Sequence, residues 1–106
     1  MPKISRNKLD DKAYQAILNQ LHYAFARLGN DKEIADLMDN LFTQTERLMV
    51  AKRLAIAMLL EKGLTYPEIS QILKVSSATI SFVRNGVMKY NENYQKLIQA
   101  LQKLRF

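Results

Sequence analysis

Thr65-Tyr66-Pro67-Glu68-Ile69-Ser70-Gln71-Ile72-Leu73-Lys74-Val75-Ser76-Ser77-Ala78-Thr79-Ile80-Ser81-Phe82-Val83-Arg84-Asn85 is the stretch on which the fold turns. Thr65 and Glu68 have the spacing of a capping box, with Pro67 tolerated in a first turn where its missing amide hydrogen has no partner to lose. A short helix with Ile69, Ile72 and Leu73 facing inward should follow. Lys74-Val75-Ser76-Ser77 interrupts the period, and Ser76 or Ser77 can cap a second helix from about Ala78 to Asn85, closed by Asn85-Gly86. Two short helices crossing through so brief a turn need buried anchors where they meet, and Ile69, Leu73, Val75, Ile80 and Val83 occupy those places. Ser70 is small enough for close approach. Lys74 stands where a turn glycine is usual and has to accept or avoid a positive φ at some cost. The segment therefore reads as a helix-turn-helix spanning residues 65 to 86.

The same periodicity extends in both directions. Tyr14, Ile17, Leu18, Leu21, Phe25 and Leu28 line one helical face that Gly29-Asn30 ends. Asp31 is positioned to cap a second helix carrying Ile34, Leu37, Met38 and Leu41. Thr43-Gln44-Thr45-Glu46 is another capping box, opening a helix in which only Lys52 and Arg53 interrupt the apolar run from Leu48 to Leu60. Such a helix is expected at the centre of the fold, stopped by Lys62-Gly63. After the hairpin, Asn91 or a neighbour caps a last helix with Tyr94, Leu97, Ile98, Leu101 and Leu104 as its stripe. The expected fold is all-α, about six helices, with residues 1–106 as a single domain and residues 1–9 as a basic segment, either a flexible arm along DNA or, the safer reading, a solvated disordered terminus.

Composition narrows the function. With no cysteine and one histidine, His22, thiolate or imidazole metal sites are not expected. No run reaches the roughly 18 to 20 apolar residues of a membrane span, and the N-terminus lacks the apolar core of a secretion signal, so a cytoplasmic protein is expected. No nucleophile, base and oxyanion donor can be nominated together, and there is no glycine-rich phosphate loop, so neither catalysis nor a cofactor is expected. The +6 charge is unevenly placed: residues 1–61 hold nine Lys/Arg against eight Asp/Glu, whereas residues 62–106 hold seven against two. A basic half invites phosphate polyanions by Coulomb attraction and counterion release. On the second hairpin helix Ser76, Ser77, Ala78, Thr79, Ser81 and Arg84 face outward. Hydroxyls can meet phosphates, methyls can touch thymine, and arginine can bond a guanine edge. With Thr65, Tyr66, Lys74 and Lys89 these are the candidate duplex-DNA contacts. A helical module that grips a protein partner, or an RNA-binding protein using Tyr90 and Tyr94 for stacking, would share parts of this pattern.

Thr43 to about Lys89 resembles the core of the Trp repressor family, through Leu41-Phe42-Thr43-Gln44-Thr45-Glu46-Arg47, Ala51-Lys52-Arg53, the Leu59–Gly63 helix end, and Leu73 through Ala78-Thr79-Ile80-Ser81. The resemblance implies an intertwined homodimer, each helix-turn-helix entering the major groove of one half-site of a palindromic operator, with repression as its role. It also implies an effector pocket, to which Thr43, Arg53 and Thr79 correspond. Here the chain departs from the family. Phe82 replaces the second of two arginines that sandwich the ligand, Val83 replaces a glycine, and Gly86 replaces a serine that meets the ligand amine. A guanidinium platform and a polar contact are gone, so a tryptophan response is not expected. Phe82 is left to stack on another aromatic effector or to fill the pocket.

Overall fold

The computed structural model describes residues 9–87 and 91–102, with residues 86 and 87 described by their backbone alone. The basic residues Lys3, Arg6 and Lys8, together with Lys89, Tyr90 and Leu104, lie outside the described residues. The described chain is all-α, with six helices: α1 (Asp11–Ala26), α2 (Asp31–Leu41), α3 (Gln44–Glu61), α4 (Tyr66–Leu73), α5 (Ser77–Phe82) and α6 (Glu92–Leu101). A π-helical turn, Val83–Val87, follows α5 directly.

The chain divides into two compact units, one up to Leu41 and one from Phe42 onward. In the first, the Asp10 carboxylate accepts from the Ala13 amide at 2.7 Å and starts α1. The cap of α2 is Asn30, whose side chain accepts from the Glu33 amide at 3.0 Å, and Asp31 is the first residue inside the helix instead of its cap. The expected cap thus lies one residue earlier. Neither α1 nor α2 contains a buried residue, and Ile17, Leu21, Tyr23, Ile34 and Leu41 are exposed.

The second unit is built around α3. Its capping box is complete: Thr43 Oγ1 accepts from the Glu46 amide at 3.1 Å, and the Thr43 amide donates to Glu46 Oε1 at 2.9 Å. Five consecutive residues, Ala55 to Leu59, are buried, which requires neighbours on every side of that turn and a half. α4, α6 and the π turn supply them. The first eleven residues of α3 are different, with Leu48, Met49, Val50 and Leu54 exposed, so the expectation of a buried central helix holds only from Ala55 onward. Gly63, at φ 89°, takes the left-handed conformation that ends the helix. Ile56, Ile69 and Ile80 are fully buried, and each contributes roughly 1.5–3 kcal/mol of apolar burial. Ile98 brings α6 onto the same core, and Gln102 Nε2 ties its end to the Met58 carbonyl at 3.0 Å.

Candidate nucleic-acid interface

The helix-turn-helix is assembled by contacts within a few residues of one another. Thr65 caps α4 in a full capping box: its amide donates to Glu68 Oε1 at 2.8 Å, and its hydroxyl accepts from the Glu68 amide at 3.3 Å. The bond from the Thr65 amide, followed by that from its hydroxyl, holds the Glu68 carboxyl below the usual range. Lys74 ends α4 in the left-handed region, φ 56° and ψ 54°, with its amide donating to the Ser70 carbonyl at 2.9 Å. Ser70 Oγ donates to the Val75 carbonyl at 2.6 Å, which holds the turn closed from within. Ser76 then caps α5, accepting from the Thr79 amide at 3.1 Å. Lys52 of α3 reaches the Lys74 carbonyl at 3.4 Å, a tether between elements 22 residues apart in sequence.

Of the expected anchors, Ile69, Ile80 and Val83 are buried, and Leu73 and Val75 pack partly against the same cluster. Ile72, expected to face inward, is 55% exposed. It follows Ile69 by three residues on a helix covered along a single line, and Ile69 and Leu73 use that line fully. The second helix does not stop at Asn85-Gly86 as expected. Beyond Phe82 the backbone widens into the π turn, which keeps Val83 buried while carrying the chain through Asn85 and Gly86.

With Ile80 and Val83 turned to the core, α5 shows the opposite edge to solvent. Ser76, Ser77, Ala78 and Arg84 are exposed, and Thr79 and Ser81 are half-buried. Several of these hydroxyls already have partners. Ser76 and Thr65 serve as caps, Thr79 Oγ1 lies 3.0 Å from Ser76 Oγ, and Ser81 Oγ donates to the Tyr66 hydroxyl at 3.5 Å. Hydrogen bonding to Ser81 and then to the Arg84 guanidinium holds the Tyr66 phenol below its usual pKa, and Arg84 and Tyr66 line one cavity. Ser77, Ala78 and the Lys74 ammonium are the least engaged members of the set. Lys89 is outside the described residues.

A cavity of about 490 Å³ opens between α3 and α5. It unites three of the four proposed effector residues. Arg53, Thr79 and Phe82 line it, while Thr43 sits in the capping box at the start of α3 and does not. The Arg53 guanidinium lies 5.1 Å from the centre of the Phe82 ring, a cation–π contact worth about 0.5–1 kcal/mol where exposed. Phe82 is 47% exposed, so it forms a wall of the cavity and is not part of the core. Met49, Lys52 and Lys74 also line it and were not in the expected set. The signal for Met49 was its four-residue spacing from Arg53, which places both on one helical face. Lys52 and Lys74 join the cavity through their contact across the turn. Among the described residues the lining contains three cations and no carboxylate.

Among the described residues no group of His, Asp or Glu side chains is placed to hold a metal ion, and no helix is long and apolar enough to cross a membrane. Residues 15–102 match the family model described as Trp repressor protein. The chain is 30% identical over 92 residues to the uncharacterized protein YerC of Bacillus subtilis strain 168, covering 87% of this chain and 88% of that one. Its structure is similar to the crystal structure of a TrpR-like protein from Eubacterium eligens ATCC 27750, with a TM-score of 0.77 and 27% identity, over 92% of this chain and all of the other.

Proposed function

The chain belongs to the Trp repressor family, which consists of DNA-binding regulators and not enzymes, and from this we propose that it is a homodimeric repressor reading a palindromic operator in duplex DNA. One observation carries the reading. α5 is pinned through Ile80 and Val83, and it presents Ser77 and Ala78 outward beside a cationic turn residue, Lys74. Glu68 is the one acid between residues 62 and 91, and its carboxylate is occupied by Thr65. That carboxylate stays ionised but is held at the start of α4, away from the α5 side chains Ser77 and Ala78 in sequence, and no second acid lies in this stretch. Ser77, Ala78 and Thr79 are assigned to the base edges. Arg84 joins them when it leaves Tyr66, and Lys74, Ser76, Thr65, Tyr66, Ser81 and Lys89 are assigned to the backbone and to holding the helix.

Dimerisation explains the apolar side chains left open. Ile17, Leu21 and Ile34 of the first unit, and Leu48, Met49, Val50 and Leu54 of α3, are too many exposed apolar groups for isolated chains in water. A second copy that interlocks with them would complete one folding unit from residues 1–106 and set two α5 helices a helical turn apart. A cytoplasmic location goes with this reading, since the family's members are DNA-binding regulators.

Operator binding does not depend on tryptophan in this reading. The second arginine that the family's pocket would use is replaced by Phe82, whose ring centre lies 5.1 Å from the Arg53 guanidinium. Selection from a random duplex library at physiological salt, with and without a mixture of free amino acids, tests the proposal. A palindrome with half-sites about one helical turn apart, enriched equally in both conditions, is the expected result. No enrichment in either would leave a helical module that binds a protein partner. Enrichment only with the mixture would restore an amino-acid effector.

A further inference from the structure

A second cavity, about 410 Å³, shares no lining residue with the one beside Arg53. The end of α3, the start of α4, Arg84 of the π turn and α6 form its walls. Its volume falls within the range of small-molecule sites, roughly 300–1,000 Å³. The floor is apolar, made by Ala57, Leu60, Leu64 and Ile98, of which Ala57 and Ile98 are buried. Two phenols, Tyr66 and Tyr94, stand over this floor with the Arg84 guanidinium. Both rings pack against the buried cluster, so their positions are set by the core. Arg84 is exposed and beside the Tyr66 hydroxyl, able to turn toward either the cavity or solvent.

We propose that this cavity is a binding site for a small aromatic monocarboxylic acid, and that its occupant withdraws Arg84 from duplex DNA. The ring is placed by the apolar floor and the two tyrosine rings, which favour offset or edge-to-face aromatic contact. The acid group is placed by Arg84, whose planar fork matches a carboxylate, and by the phenolic hydroxyls as further donors. One negative charge is the limit. Among the described lining residues Arg84 is the only cation, and Glu61, which also lines the cavity, would repel a second anionic group. The ligand site stands on the cavity alone, whereas the competition with DNA rests on the operator-binding reading above.

The test uses the full chain with 4-hydroxyphenylacetate as probe and its uncharged amide as control, followed by the NMR signals of the Tyr66 and Tyr94 rings. Saturable shifts with the acid, weakened roughly tenfold or more for the amide and for Arg84→Gln, are expected from loss of one charge-assisted bond. No saturable shift at either ring, or shifts centred on Phe82 and Thr79 instead, would overturn the site. In the second arm, the acid should lower duplex affinity for the wild type and leave Arg84→Gln unaffected. Equal duplex affinity with and without saturating acid would overturn the competition while leaving the site. Absence of duplex binding under any condition would overturn the operator reading and the competition with it, and the ring shifts would still decide the site.

Discussion

Lys74 offers a substitution in which stability and DNA affinity should move in opposite directions. Its backbone lies at φ 56° and ψ 54°, where an L-residue brings Cβ against the following carbonyl at a cost of roughly 1–2 kcal/mol. Lys74→Gly removes that cost. Glycine also enlarges the unfolded ensemble, which takes back about 0.4–1 kcal/mol, leaving a net gain between about 0 and 1.6 kcal/mol, near 0.8 kcal/mol at the middle of both ranges. The side chain is exposed, and the two bonds at this position use backbone atoms: the amide to the Ser70 carbonyl and the carbonyl to Lys52. Both survive the change. Thermal unfolding at matched protein concentration should show Tm raised by about 2–8 °C. Duplex titrations over a range of salt should show weaker binding, with a log–log slope shallower by about 0.9 for the phosphate contact removed. A variant melting at or below the wild type would refute the left-handed strain argument. An unchanged salt slope would remove Lys74 from the phosphate contacts.

Ile80→Ala should cost about 2–5 kcal/mol, because Ile80 is fully buried where α5 meets the core; a loss under 1 kcal/mol by denaturant titration would mean that α5 is not anchored there. Ser76→Ala removes the cap of α5 and should cost about 1 kcal/mol, while Ser76→Asn, checked by the same titration, should retain most of it. The lowered Glu68 pKa makes the α4 capping box acid-sensitive. Its stabilisation is fully present above the unfolded glutamate pKa, about 4.3, and is lost as pH falls through the lower folded value. The advantage of wild type over Glu68→Ala in melting experiments should therefore shrink on acidification, and a difference constant down to pH 2 would contradict the assignment.

Much of this protein was determined by residues that meet within four positions of one another. The Thr43–Glu46 and Thr65–Glu68 boxes, the Ser76 and Asn91 caps, the Gly63 stop and the left-handed Lys74 all formed as their local patterns require. Such interactions close short loops, so their entropy cost is low and tertiary context seldom overrides them. The start of α2 is an exception within that range, since Asn30 and Asp31 can both cap and only the backbone path chose between them.

What the tertiary structure decided is how each helical face is used. A stripe of Ile69, Ile72 and Leu73 does not reveal how wide the cover over α4 will be, and Ile72 is left in water. The sequence of α3 is apolar along both halves, yet α4, α6 and the π turn cover only the second. The same holds for function. Arg53 and Phe82 lie 29 positions apart and Lys52 and Lys74 lie 22 apart; only the family resemblance joined the first pair in one pocket, and no sequence pattern added Lys52 and Lys74 to it. Arg84, read as an outward base contact, is exposed and also stands beside the Tyr66 hydroxyl of another helix. Contacts of that range arise only after the core has set the angle between helices, and that angle depends on packing summed over many side chains at once.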